Sequence, residues 1–421
     1  MGGSSPGTGT ITARNAQVPG DAALGAGGLI AIVGFMFMLT AMSIDMMIPA
    51  LIDLTAAFGR PSTDGYAVIT WFMVGYALPH LVMGPLSARF GRKPVLIGGL
   101  LLYMAGGLAC LFAQNFDQLL MARLVQGTGA ASGPLSGRAV LRDRFQGEAL
   151  ARAMAVAMVF FASGPMLAPI IGALVLLFAG WNAIFGVLVA AGLFFLLAVL
   201  FLLPETRDPA TVVPLSVRRI AGDIAAVLKL RETLAAIAAL SLAYALLALY
   251  LSSTALIYMA GFGLTETQFA ATFAVIAAGT IVAKPITSLV LRHRPPHRAL
   301  IWALMAQLAV TFCLLVQFGL GWATLPGTVF TFALVFVAFT ATLSIGTALA
   351  LSPHGPRAGT ASGVMGLCQL LTGAFLGGWL AALTGGDGLW VATAMVALAA
   401  AAAIAHLWIT GGCAWAKRDV L

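Results

Sequence analysis

The chain has 421 residues, 61% of them hydrophobic and 9% charged, with 22 Lys and Arg against 14 Asp and Glu. Soluble domains carry about 25% charge, so these residues cannot cover a fold of this size in water. A cytosolic enzyme, a disordered chain and a nucleic-acid binder are excluded despite the net charge of +8.

Residues 1–28 are rich in Gly, Ser, Thr and Ala, without a basic stretch leading into an apolar core and cleavage site. They are expected to form a flexible cytoplasmic tail rather than a secretory signal. A membrane helix needs about 20 apolar residues, and breaks at Pro, Gly and charge clusters divide the rest of the chain into twelve such segments. They run 29–51, 65–87, 95–113, 117–141, 150–177 and 182–203, then 233–260, 266–291, 298–318, 322–350, 359–384 and 389–411. The unbroken apolar run 183–203 excludes the alternating strands of a membrane β-barrel. The expected fold is an all-α membrane protein with twelve transmembrane helices in two six-helix bundles, 29–203 and 233–411. A cytoplasmic linker, 204–232, joins them, and 412–421 is a cytoplasmic tail. In the linker Val217, Ile220, Ile224, Val227 and Leu228 fall at helical spacing. That pattern suits an amphipathic helix lying along anionic headgroups, or equally a solvated linker helix.

Charge placement supports the even count. With both termini cytoplasmic, nineteen of the 22 basic residues fall on one side, leaving Arg60 opposite and Arg123 and Lys284 within spans. This is the positive-inside asymmetry. Lys284, eight residues before Arg292, can reach the cytoplasmic surface by snorkelling. Gly84-Pro85 before Arg92 and Lys284-Pro285 before Arg292 repeat 200 residues apart, as two parallel six-helix repeats would. The four cysteines are scattered without a CxxC pair, so neither a metal site nor a disulfide framework is expected.

Two charges inside spans carry the chemistry. Asp45 lies near the outer end of the first helix and Arg123 at similar depth in the fourth. Charges in a membrane are costly and ordinarily functional. A carboxylate that alternates between a dry site and a cationic or wet one can carry a proton. Trp71, Tyr76, Tyr244, Tyr250 and Tyr258 are aromatics able to line an amphipathic cavity.

Three motifs add a resemblance. Gly84-Pro85-Leu86-Ser87-Ala88-Arg89-Phe90-Gly91-Arg92-Lys93-Pro94 resembles the signature loop of the major facilitator superfamily, with Ala88 where that family has an acid. Arg123-Leu124-Val125-Gln126-Gly127-Thr128-Gly129 resembles its fourth-helix motif, and Gly164-Pro165-Met166-Leu167-Ala168-Pro169-Ile170-Ile171-Gly172-Ala173 its fifth-helix antiporter motif. Across all twelve spans the chain resembles the drug:proton antiporters of the bicyclomycin- and chloramphenicol-resistance type. The resemblance implies a conformational switch built from Gly84, Ala88, Arg89, Gly91, Arg92, Asp143, Gly164, Pro165, Pro169 and Gly172, with Asp143 pairing Arg92. It implies proton coupling at Asp45 and Arg123, and places Gln126 and Gln369 at the substrate cavity. The expected protein is a monomeric antiporter of the bacterial inner membrane, exporting small amphipathic drugs or metabolites on the proton gradient. It has no cofactor, no metal and no nucleic-acid partner; protons, lipids and a small-molecule substrate are its partners. A dedicated exporter of one metabolite, such as a siderophore or metallophore, is the alternative. A proton-independent facilitator or sensor is another, kept open by Ala88.

Overall fold

The computed structural model describes residues 25–207 and 217–410. Of the two expected tails, 1–24 and 412–421 lie outside the described residues, as does 208–216 of the linker. Among the described residues there is no strand.

The first span is α1 (Ala26–Asp45), a 3-10 turn (Ile48–Ala50) and α2 (Leu51–Ala57). The break has a local cause: Pro49 has no N–H to offer the carbonyl four residues back, that of Asp45, and its ring crowds it. The second span, α3 (Gly65–Ala77) and α4 (Met83–Phe90), is broken in the same way after Pro79 and bends by 54°. Then come α5 (Arg92–Leu111), α6 (Phe116–Ala130) with α7 (Ser132–Arg144), α8 (Gly147–Phe178) and α9 (Asn182–Leu202). The second half has α10 (Val217–Lys229), α11 (Arg231–Ala255) running into a π turn, α12 (Glu266–His293), α13 (Pro296–Gly319) and α14 (Leu325–Leu351). It ends with α15 (Ala358–Thr372), a π turn, α16 (Gly378–Thr384) and α17 (Gly388–Thr410).

Among the described residues ten helices are long and apolar enough to cross a membrane, eleven with the bent second span. The twelfth is α6–α7, made too polar for that test by Arg123, Gln126, Ser132, Ser136 and Arg138. The two halves repeat one packing scheme: α3 on α6 matches α12 on α14, α5 on α6 matches α13 on α14, and α5 on α9 matches α13 on α17. A Cβ at Gly127 would run into the Phe72 carbonyl and one at Gly129 into the Tyr103 amide. These two glycines therefore let α6 sit against α3 and α5 at backbone distance.

Between the halves, α3 and the turn after it pack on α15 and α16, and α8 packs on α12. Thr70 Oγ1 donates to the Ala374 carbonyl across this seam at 3.3 Å. At the end away from the basic loops, Ile48–Ala50 packs against α11 and α12. In the linker, α10 turns Val227 and Ile224 onto Ala236, Ile237, Ala361 and Val364. Asp223 pairs with Arg357 at 3.1 Å, so this helix is docked on the second bundle.

Candidate functional site

The α1 break brings the two intramembrane charges to one level without pairing them. Asp45 is 4% exposed and Arg123 fully buried. Arg123 donates to the Ser43 carbonyl at 2.9 Å, to Gln126 Oε1 at 2.7 Å and to the Val68 carbonyl at 3.3 Å. Its guanidinium also lies 4.3 Å from the Phe72 ring centroid. The permanent charge is thus spread over three acceptors and a π face, which is how a buried guanidinium is tolerated. Ser43 donates to the Leu39 carbonyl at 2.7 Å, so at the 2.7 Å contact with Tyr103 the phenol is the donor. Two residues on, Asp45 has no ion pair or hydrogen bond among the described residues.

The antiporter-motif residues buttress this break. Helix α8 continues through both Pro165 and Pro169. A Cβ at Gly164 would fall 2.6 Å from Ala41 Cβ, and one at Gly172 would strike the Met46 carbonyl oxygen and come within 3.2 Å of Pro49. The small face of α8 is therefore pressed on α1 from Ala41 to Pro49, on both sides of Asp45.

At the basic end, Gly91 joins α4 to α5 with φ +104°, a conformation that favours glycine. Arg92 Nε meets Asp143 Oδ2 at 3.0 Å and its Nη1 donates to Ser87 Oγ at 3.1 Å. Thr206 adds a second donor to Asp143 at 3.1 Å. Arg207 donates to the carbonyls of Ala88 and Arg89, so position 88 contributes backbone, not an acid. Arg89 turns outward with its charge 5.8 Å from the Phe90 ring, and Gly84 has open space where a Cβ would sit.

Sequence reasoning missed Glu205. Its carboxylate accepts the amides of Arg92, Lys93, Thr206 and Arg207 at 2.9–3.1 Å. It thereby caps α5, where the helix dipole favours a negative charge. The available signal was Pro204-Glu205-Thr206-Arg207, an acid just past the proline that ends α9. Partial burial pushes the Glu205 carboxyl up, but the four amides outweigh it and hold it below its ordinary value. Because the folded value is depressed, this stabilisation is present above the ordinary carboxylate range and lost as pH falls through the folded value. Acidification in that window is expected to lower the melting temperature of the wild type more than that of Glu205→Gln. Parallel melting curves across the window would refute the cap.

The six residues expected at the cavity divide. Tyr76 is half-buried and, with His80 on the next turn and Tyr244 of α11, lies within electrostatic reach of Arg138. Trp71 requires a correction: it is 37% exposed and shares the outward face of its span with Leu78 and Val82, so it faces the surroundings of the bundle. Gln126 is consumed as the partner of Arg123. Tyr250 is buried in a cluster with Phe273, Phe332 and Phe336, and Tyr258 packs with Phe262, Phe269 and Phe332. Neither opens to a cavity here, although Tyr250 is within electrostatic reach of Asp45. Gln369 is 5% exposed, its amide nitrogen without a partner.

Two repeated six-helix bundles meeting around buried charges define a secondary transporter. Residues 33–375 match the Major Facilitator Superfamily. The chain belongs to that superfamily, and is a multi-pass membrane transporter rather than an enzyme. It is 30% identical to a bicyclomycin resistance protein homolog of Haemophilus influenzae over 56% of this chain and 60% of that one. It is 28% identical to the multidrug resistance protein MdtL of Salmonella paratyphi B over 81% of this chain and 85% of the relative. These similarities support the drug:proton antiporter family. A D-xylose-proton symporter shares the fold, with a TM-score of 0.70 at 12% identity over 90% of this chain and 95% of that one.

Proposed function

We propose that the chain is a proton-coupled antiporter of the bacterial inner membrane that exports small amphipathic drugs or metabolites by alternating access. The nineteen basic residues on one side support cytoplasmic termini. The observation that carries the coupling is Asp45: a carboxyl only 4% exposed, without a counter-charge among the described residues, at the hinge of the first span. Such a group is costly when charged and cheap when protonated. Deprotonation therefore favours the arrangement that wets it, and protonation the one that buries it. This difference between two states is what lets a proton drive a substrate. Arg123 acts as a positioning residue, holding α1 through the Ser43 carbonyl while Asp45 changes charge. Arg92, Asp143 and Glu205 tie the start of α5 to the end of α7 and to the segment after α9, so those ends move together.

The test is a substrate panel in cells lacking their own efflux pumps, with and without a protonophore. Expression is expected to lower accumulation of some compounds, and the protonophore to restore it. Efflux unaffected by collapse of the gradient would overturn the coupling.

A further inference from the structure

Resting on that exporter reading, we infer that the substrate is an amphipathic organic anion whose charge is held by Lys284. An open cavity of about 430 Å³, more cleft than enclosure, is lined by Lys284, Thr287, Ser288 and Leu291 of α12 and by Ser344 of α14. Of the exposed apolar residues of α12, Val275, Val282, Ile286 and Leu289 mark the side opposite Lys284, while Ile281 and Leu291 lie beside it. Two residues separate Val282 from Lys284, about 200° around the helix. Lys284 therefore lies on the cavity side of α12, away from the centre of that apolar stripe, where snorkelling alone was expected.

The donors in this cavity are few. Thr287 spends its hydroxyl on the Ala283 carbonyl and Ser344 on that of Thr340. Lys284 and Ser288 make no hydrogen bond or ion pair among the described residues. An ammonium and a hydroxyl four residues apart on one helix face suit a carboxylate or sulfonate.

The first half also carries a positive charge inside the bundle. Arg138 of α7 is half-buried, 5.8 Å from the Phe37 ring centroid, and has no acidic partner among the described residues. Asp45 is the one buried acid among them, and it sits about two turns beyond Phe37 along α1. A cationic guest in this cavity would meet the positive charge of Lys284; an anion would give that ammonium a counter-ion.

The test uses naphthoate, naphthamide and naphthylmethylammonium, which share a ring system and differ in head-group charge. Thermal stabilisation of the detergent-purified full-length protein reads binding without transport. Naphthoate is expected to stabilise most, and Lys284→Met to weaken its apparent affinity by roughly tenfold, equivalent to ~1.4 kcal/mol. Lys284→Arg is expected to retain the response. Equal responses to the three probes, a preference for the ammonium, or an unchanged naphthoate response in a folded Lys284→Met or Lys284→Ala would overturn the anion site. Protonophore-sensitive efflux confined to neutral or cationic compounds would also overturn it and leave the coupling standing. Lys284-dependent naphthoate binding without gradient-sensitive efflux would support the anion site and overturn the coupling.

Discussion

Asp45→Asn is expected to abolish efflux driven by a pH gradient in proteoliposomes while leaving substrate counterflow intact. Asn has nearly the size and shape of the protonated acid, and Asp45 makes no hydrogen bond among the described residues for the substitution to break. Folding is therefore expected to survive. The difference between a charged and a neutral side chain disappears. Without a proton-dependent difference between the two states the gradient has nothing to act on, and the driven-to-undriven ratio should fall to one. Counterflow exchanges substrate for substrate and needs no proton, so its persistence separates lost coupling from lost binding. Asp45→Glu keeps the proton but extends the side chain beside Met46, Met47 and Ile48, all fully buried; partial activity is expected. Undiminished driven efflux by Asp45→Asn would remove Asp45 from the mechanism.

The fold was legible because lipid imposes one rule on every segment: apolar side chains outside and backbone polar groups satisfied within the helix. The fourth span was the hard case. Hydropathy alone passes over α6–α7; the breaks at Pro, Gly and charge clusters mark it out, and the count of basic residues supports it. The hinge at Asp45 was legible in part, since Pro49 marks a bend, whereas the press of Gly172 on Met46 joins residues more than a hundred positions apart. Side-chain direction was the least legible property. Trp71 and Tyr76 are both aromatics of α3, yet one faces outward and the other faces Arg138. Arg138 itself counted as a topological charge, because its six-residue distance from Arg144 reads as the end of a span. Its half-buried place near Phe37, within electrostatic reach of Tyr76 and Tyr244, needs the packed bundle to be seen.

Gly172→Val is expected to stop transport and lower stability together. The β-carbon would strike the carbonyl oxygen of Met46, a backbone atom at the α1 hinge, and approach the Pro49 ring. A crowded side chain can change rotamer, but this carbonyl belongs to a turn fixed by Pro49. Either α8 or the whole hinge must therefore move. Overpacking a close-packed site costs about 1–3 kcal/mol, and the backbone collision puts this position at the upper end. The displaced hinge is the segment that carries Asp45, so efflux is expected to fall to background even where folded protein remains. Gly186→Ala on α9 is the matched control: a Cβ there has nothing within 4 Å, and helix propensity favours Ala over Gly by roughly 0.5–1 kcal/mol. That variant should melt no lower than the wild type and export normally. Melting in detergent and driven efflux in proteoliposomes, measured on both variants, decide the matter. A Gly172→Val protein with wild-type values of each would mean that α8 does not hold the α1 hinge.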